Sequence, residues 1–216
     1  MENFNFKEFA KTYHLKTILF LIITGYIIIS CYSTVMDGYN NFVTKDESSS
    51  QALAQLNTAY QRRSDLIPQL VEVVQGTADF EKSTLEGVIS ARASATQITI
   101  DPKNFTQESL NQFQASQGAV SSSLSRLMVV VEKYPDLKSN EGFQQLQAQI
   151  EGSENRIAIE RNNFNQTVQS YNLDIRTFPN SLIAKSFGFN KKAYFEAEKG
   201  AEKAPKFQFT RPNQNK

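Results

Sequence analysis

The segment AYQRRSDLIPQLVEVVQG, residues 59–76, places Arg62 and Arg63 just before Asp65. Such a set could serve catalysis, form a recognition patch, or tie one helix to another. The rest of the chain limits the chemistry. It holds one histidine, His14, and one cysteine, Cys31, both before residue 37. Downstream of that point a Ser-His-Asp triad, a Cys-His pair, a thiolate zinc site and an HExxH zinc helix are all excluded. A Ser-Lys dyad or an all-carboxylate metal site is not excluded, yet no spacing singles one out. Ser121, Ser122, Ser123 and Ser125 cluster near Arg126 with no base nearby in sequence, and read as small polar residues that ease helix packing. No catalytic, cofactor-binding or metal-ligating set is therefore expected, and no cofactor.

These residues must be carried by long helices. The 216 residues suffice for one domain and an anchor, with only 9 Gly and 6 Pro. Lys and Arg number 23 against 22 Asp and Glu, a net charge of +1 that gives no case for a nucleic-acid partner. A single cysteine rules out an internal disulfide.

The run TILFLIITGYIIISCYSTVM, residues 17–36, has no charged residue and is long enough to cross a bilayer as a helix, so membrane lipid is the expected partner of 17–36. Lys7, Lys11 and Lys16 precede it, which puts the N-terminus in the cytoplasm and the bulk of the chain on the periplasmic or extracellular side. The alternative is a lipoprotein signal: Ile28-Ile29-Ser30-Cys31 resembles a lipobox, and Cys31 would then be lipidated and would anchor the chain.

Beyond the anchor, Thr44-Lys-Asp-Glu47 reads as a capping box that starts a helix. Its apolar stripe runs through Leu53, Leu56, Tyr60, Ile67, Leu70 and Val74, with Gly76 a point of interruption, and continues to about Ala95. Pro68 within it predicts a mild kink. Ile98 to Asn104 should turn. A second helix is expected from Thr106 to Tyr134 with Leu110, Phe113, Gln117, Val120, Leu124, Leu127 and Val131 on one face. A third should run from about Asn140 to Arg176 along Phe143, Leu146, Ile150, Ile157, Phe164, Val168, Tyr171 and Ile175. Three amphipathic rods joined by short turns bury their stripes on one another. The expected fold is all-α: an elongated antiparallel up-and-down helical bundle with an N-terminal transmembrane helix. Its parts are a short cytoplasmic lead (1–16), the anchor (17–36), the bundle (37–179) and an aromatic and basic C-terminal segment (180–216) whose end is expected to be disordered.

If the first and third helices face each other, Arg62 or Arg63 can meet Glu154 or Glu160. Inter-helix ion pairs are thus expected among Arg62, Arg63, Asp65, Glu154, Glu160 and Arg161. Such pairs fix register more than they add stability. In the C-terminal segment, Phe187, Phe189, Tyr194 and Phe195 are expected either to pack on the end of the bundle or to dock on a second copy or on the membrane surface.

Several stretches in unbroken order carry a family resemblance: YNNFV (39–43), AYQRRSDLIPQLVE (59–72), FEKSTLEGVISARASA (80–95), LSRLMVVVEKYPDLK (124–138), LQAQIEGSENRIAIERNNFNQTVQSYN (146–172) and FPNSLIAKSFGFNKKAYFE (178–196). Together they resemble the LemA family over about residues 37–210. The resemblance implies a bacterial protein with one N-terminal membrane helix or a lipoprotein signal and an all-α bundle. It brings no activity and no catalytic residues. The chain departs from lipoprotein-like members in the seven residues that separate Cys31 from Tyr39. The resulting expectation is a non-catalytic, membrane-anchored envelope protein, a scaffold or self-assembling helical module that is a homo-oligomer or binds other envelope proteins. An accessory subunit or Ser-Lys type hydrolase of envelope processing is the alternative.

Overall fold

The computed structural model describes residues 6–77 and 80–196. The expected disorder of the chain's end therefore lies outside the described residues, as does the start of the cytoplasmic lead. The described residues form six helices and no strand: α1 (Phe6–Gln75), α2 (Lys82–Gln97), α3 (Gln107–Val131), α4 (Pro135–Lys138), α5 (Glu141–Asp174) and α6 (Asn180–Phe187). The all-α architecture matches the periodicity of the stripes.

Two expectations about helix ends are corrected. No helix starts at Thr44, because α1 is one uninterrupted rod of 70 residues, about 105 Å long, from the apolar run through the bundle. A cap serves amides that lack an acceptor at a helix start. Thr44 already sits on a completed turn, and its hydroxyl donates to the Asn40 carbonyl at 2.9 Å. The first bundle helix also does not continue to Ala95. It stops at Gln75, turns at Gly76 and Thr77, and α2 begins at Lys82, so four long helices replace the expected three. Pro68 lies within α1, which passes through it.

Other boundaries follow local chemistry. Thr106 caps α3: its hydroxyl oxygen accepts from the Ser109 amide at 3.2 Å, and the Ser109 hydroxyl oxygen accepts from the Thr106 amide at 3.0 Å. Asn140 caps α5 by accepting from the Phe143 amide at 3.0 Å.

Cross-helix bonds set the topology. Arg92 reaches Ser64 and Asn57 reaches Ile100, so α2 runs back along α1. Arg63 reaches Gln117 and Ser121 on α3 and Glu154 on α5, while Asn41 reaches Asp174. Helix α5 is therefore antiparallel to α1, the neighbour it packs on most extensively. The core is long and thin, in three clusters. One, far from the apolar N-terminal run, gathers Ile67, Leu70, Val74, Val88, Leu127 and Phe143. A middle cluster holds Leu53, Leu56, Tyr60, Phe113, Ile157 and Phe164. The third, nearest that run, holds Phe42, Tyr171, Ile175, Ile183 and Ala184.

Helix α6 folds back on α1 at Gly38. A Cβ there would lie 3.0 Å from Ile183 Cδ1, so glycine sets the closeness of this contact. Below it the apolar run is bare. Its 18-residue window has mean hydropathy 2.1, and Ile18, Leu21, Ile22, Ile27, Ile28 and Ile29 are each more than half exposed. This helix is long and apolar enough to cross a membrane.

Candidate functional site

A polar layer divides the two upper clusters. On α1, Arg63 falls between Tyr60 and Ile67; on α3, Gln117 falls between Phe113 and Val120; on α5, Glu154 falls between Ile150 and Ile157. The Arg63 side chain is fully buried. Its Nη1 donates to Glu154 Oε1 at 2.6 Å and to the Ser121 hydroxyl at 2.8 Å. Its Nη2 donates to Gln117 Oε1 at 2.7 Å and to the Gln117 carbonyl at 3.2 Å. The guanidinium also stands 5.3 Å from the centroid of the Tyr60 ring. A buried cation with a carboxylate, an amide, a hydroxyl and a carbonyl around it is a satisfied structural centre. Ser121 also donates to Glu154 Oε1 at 3.1 Å, so its hydroxyl is engaged in holding the layer.

The other residues expected in inter-helix ion pairs are placed differently. Arg62 and Asp65 are exposed and form no ion pair among the described residues. At about 100° per residue, Arg62 and Asp65 lie about 100° and 160° around the helix from Arg63, off the side that meets Glu154. Glu160 is buried, but its carboxylate pairs with Arg156 on its own helix at 2.6 Å and does not reach α1. Arg161, one heptad on from Glu154, does face α1, where its Nη2 donates to the Tyr60 hydroxyl at 3.1 Å. It crosses between helices as a hydrogen bond, not as an ion pair.

Beside the layer lies a cavity of about 320 Å3 between α1, α2, α3 and the 98–100 turn, walled by Tyr60, Ile67, Ile98, Ile100 and Phe113. Arg63 and Asp65 line it, as do Asn57, Ser64 and Arg92. Two of its polar atoms, Asn57 Oδ1 and Ser64 Oγ, are buried without a partner. Arg92 Nε donates to the Ser64 carbonyl at 2.8 Å, which pins α2 over the opening. No lysine lines this cavity, and among the described residues no group of His, Cys, Asp or Glu could hold a metal ion.

The second constellation is one that the spacing of the amides could have indicated but that the apolar stripes hide. After α6, the chain turns at Gly188 (φ +79°) and runs as an irregular strap, residues 189–196, between α3 and α5. Asn172 Oδ1 accepts from the Lys192 amide at 2.8 Å, and its Nδ2 donates to the Lys192 carbonyl at 2.9 Å. Asn165 repeats this on Phe195, at 3.0 and 2.9 Å. The two asparagines are seven residues apart on α5, about 10.5 Å. Their targets are three residues apart on the strap, about 9–10 Å in an extended chain. The two repeats match, so both clamps close together. From α3, Gln107 donates to the Tyr194 carbonyl at 3.1 Å, and Gln114, again seven residues on, to the Glu196 carbonyl at 2.9 Å. The Tyr171 hydroxyl donates to the Asn190 carbonyl at 3.0 Å.

Three strap side chains point inward at a period of three. Phe189 meets the rings of Tyr39 and Phe42, 5.6 and 5.3 Å between centroids. Lys192 pairs with Asp46 at 3.0 Å and lies over the rings of Phe105 and Tyr171. Phe195 is buried against Phe164, 5.4 Å between centroids. Tyr194 is half-buried, and Phe187, at the end of α6, is half-exposed with its ring 5.1 Å from that of Tyr39. All four aromatics singled out in the sequence therefore lie on the bundle. Burial, with a smaller push from the Asp46 carboxylate, raises the Tyr171 phenol to about 12. It stays a neutral donor to the strap.

Cys31 is exposed on α1, within the bare apolar run.

With this geometry in view, known proteins supply the family. The LemA family profile matches residues 52–209. The chain belongs to the LemA family. Among its relatives, magnetosome proteins MamQ 1 and MamQ 2 of Paramagnetospirillum magneticum are each 25% identical over 86% of this chain and 74% of their own. MamQ of Magnetospirillum gryphiswaldense is 26% identical over 87% of this chain and 75% of its own. Protein LemA of Metamycoplasma hominis is 28% identical over 83% and 77%. The matched family region contains the Arg63 layer, the cavity and the strap.

Proposed function

We propose that this LemA-family chain is a non-catalytic scaffold of the cell envelope, anchored by residues 17–36 and able to assemble with copies of itself. The observation that carries the reading is the unbroken α1. One rod passes from a bare apolar surface into the axis of the bundle. No flexible linker separates anchor from body, so the bundle and the apolar run move as one rod. That is the geometry of a rigid presenter. The three lysines before the apolar run orient it with the N-terminus in the cytoplasm and the bundle outside.

The polar centre supports the same reading. Arg63, Glu154, Gln117 and Ser121 saturate one another and leave no nucleophile and base facing a substrate. The hydrolase alternative has one feature in its favour, the cavity holding Ser64. Its test is direct. Full-length protein in gentle detergent is measured for size and for intact N-terminal mass, and is treated with a serine-reactive fluorophosphonate. Assemblies larger than one chain, an unlipidated N-terminus and no labelling are expected. A clean monomer that captures no envelope protein removes the scaffold, and labelling at Ser64 or Ser121 removes its non-catalytic character.

A further inference from the structure

The end of the bundle nearest the apolar run carries large apolar side chains in the open. Phe178 is 82% exposed, Leu182 62% and Phe187 53%. They belong to α6 and to the turn that leads into it, and their height on the rod is read from α1. Ile183 of α6 lies against Gly38, and Val35 packs on the cluster that holds Ile183 and Ala184. Val35 is itself part of the apolar run, so α6 sits beside the place where that run ends.

Bilayer dimensions turn this height into a depth. Residues 17–36 span about 30 Å as a helix, which matches the thickness of a hydrocarbon core. With its headgroups a bilayer measures about 40–45 Å, which leaves a polar layer of about 5–7 Å on each side. Gly38, two residues past Met36, stands about 3 Å beyond the core along the α1 axis. The α6 contact therefore falls inside the headgroup layer. The charges agree with that depth. From Ile175 to Lys191 the chain has Arg176, Lys185 and Lys191, all exposed, and no aspartate or glutamate. The neighbouring acids lie on other helices, where Asp174 pairs with Lys45 at 2.7 Å and Asp37 accepts from the Ser33 hydroxyl at 3.4 Å. Apolar side chains interspersed with lysine and arginine suit a membrane surface, since the apolar groups lie at the acyl boundary while the cations reach the phosphates.

We propose that α6 and its leading turn form an interfacial collar, with Phe178, Leu182 and Phe187 seated in the headgroup layer of a phospholipid bilayer. The inference rests on the anchoring of residues 17–36 and gives that anchor a second point of attachment. The occupant is lipid because the patch lies at headgroup depth on the outer surface of the protein, and three side chains are too few for a stable protein interface. A lone spanning helix fixes neither its tilt nor its rotation; interfacial anchors and packing do. The collar lies on one side of α1, so it turns and leans the rod towards that side. Because α1 is unbroken, the orientation carries through to the Arg63 layer.

The chain has no tryptophan, so a single introduced one reports its own surroundings. Full-length Leu182→Trp is reconstituted in phosphatidylcholine vesicles whose acyl chains carry bromine either near the headgroup or near the bilayer centre. Ile27→Trp, midway along the apolar run, reports anchoring, and Val129→Trp, 68% exposed on α3 at the far end of the bundle, reports water. Emission from Leu182→Trp is expected to fall about twofold with the shallow bromine and less with the deep one. Ile27→Trp should be quenched more by the deep bromine, and Val129→Trp by neither. If Leu182→Trp behaves like Val129→Trp while Ile27→Trp is quenched, the collar falls and the anchor stands. If Ile27→Trp also escapes quenching, both fall. Blue-shifted but unquenched emission from Leu182→Trp would put a second copy on the patch and overturn the lipid assignment. In oriented bilayers the infrared dichroism of the helical amides should change when Phe178→Ser, Leu182→Ser and Phe187→Ser are combined; unchanged dichroism removes the orienting role.

Discussion

Arg63 on α1 and Glu154 on α5 meet at 2.6 Å across 91 residues of sequence, and the two members of the pair are unequally buried. The arginine side chain is 2% exposed and the glutamate 36%. The asymmetry makes the two deletions unequal. Glu154→Ala leaves a buried guanidinium with neutral partners only, and its expected cost is about 3 kcal/mol. Arg63→Met fills the same space with an apolar chain while the carboxylate turns to water, for about 1–2 kcal/mol. Arg62→Ala, on the exposed face, should stay within about 0.5 kcal/mol. Urea unfolding of the detergent-solubilised chain, compared at equal slopes, ranks the three. Equal losses for Arg63→Met and Glu154→Ala would show that the carboxylate does not neutralise a buried charge.

The strap clamps predict local rather than global effects. Asn172→Ala removes one donor and one acceptor from Lys192 at a fully buried position. Two hydrogen bonds at roughly 1 kcal/mol each loosen the strap by about 2 kcal/mol. Amide exchange at residues 190–196 should speed up about thirtyfold, while protection of Leu124 and Leu127 in α3 stays as in the wild type. Asn165→Ala should act similarly on Phe195. Unchanged exchange in the strap would mean the asparagines do not hold it.

How far the sequence discloses this molecule depends on the length scale of the signal. The stripes of α3 and α5 are fully legible, because successive apolar steps of three and four define one face whatever the partner. Their ends are legible too, since Thr106 and Asn140 serve as caps through chemistry confined to a single turn. The supposed start at Thr44 misleads for a complementary reason. A capping pair is informative only if no helical turn precedes it, and here the apolar helix runs straight in. The Arg63 layer is half legible: the charges are visible, but which of two adjacent arginines turns inward is decided by the phase of α1 against α3 and α5. The strap groove is the least visible. Asn165 and Asn172 look like surface amides on a heptad until the strap is laid beside them, and matching seven helical residues to three extended ones requires knowing that the chain returns.

Gly38 makes a steric prediction. Alanine there gains helix propensity of about 1 kcal/mol over glycine, and only the flexible end of Ile183 stands in its way. Gly38→Ala should therefore be near neutral. Gly38→Ile brings a branched side chain into the α1–α6 contact and should lift α6, exposing Phe42 beneath it. Limited proteolysis near residues 180–187 is the readout, with faster cleavage expected in Gly38→Ile and restored resistance when Ile183→Ala is added. Failure of the second change to rescue the first would place the defect elsewhere.

Tyr171 links the strap to pH. Its phenol titrates at about 12 in the folded chain against 10 in a free tyrosine, because burial and then the Asp46 carboxylate disfavour the phenolate. The folded state thus holds its proton more tightly than the unfolded state, and stability falls as pH rises between these two values. Below pH 10 the contribution is fully present; above 12 it is gone. A shift of this size corresponds to at most about 2–3 kcal/mol. Ionisation also removes the donor to the Asn190 carbonyl, so the strap should loosen before the bundle unfolds. Near the phenol, Lys192 lies 5.5 Å from the ring centroid and pairs with Asp46. Tyr171→Phe is the control, since it lacks the titrating group but keeps the ring under Lys192. Strap exchange protection, followed from pH 8 to 12, should decline steeply in the wild type and more shallowly in Tyr171→Phe. Parallel curves would mean that the Tyr171 phenol does not link the strap to pH.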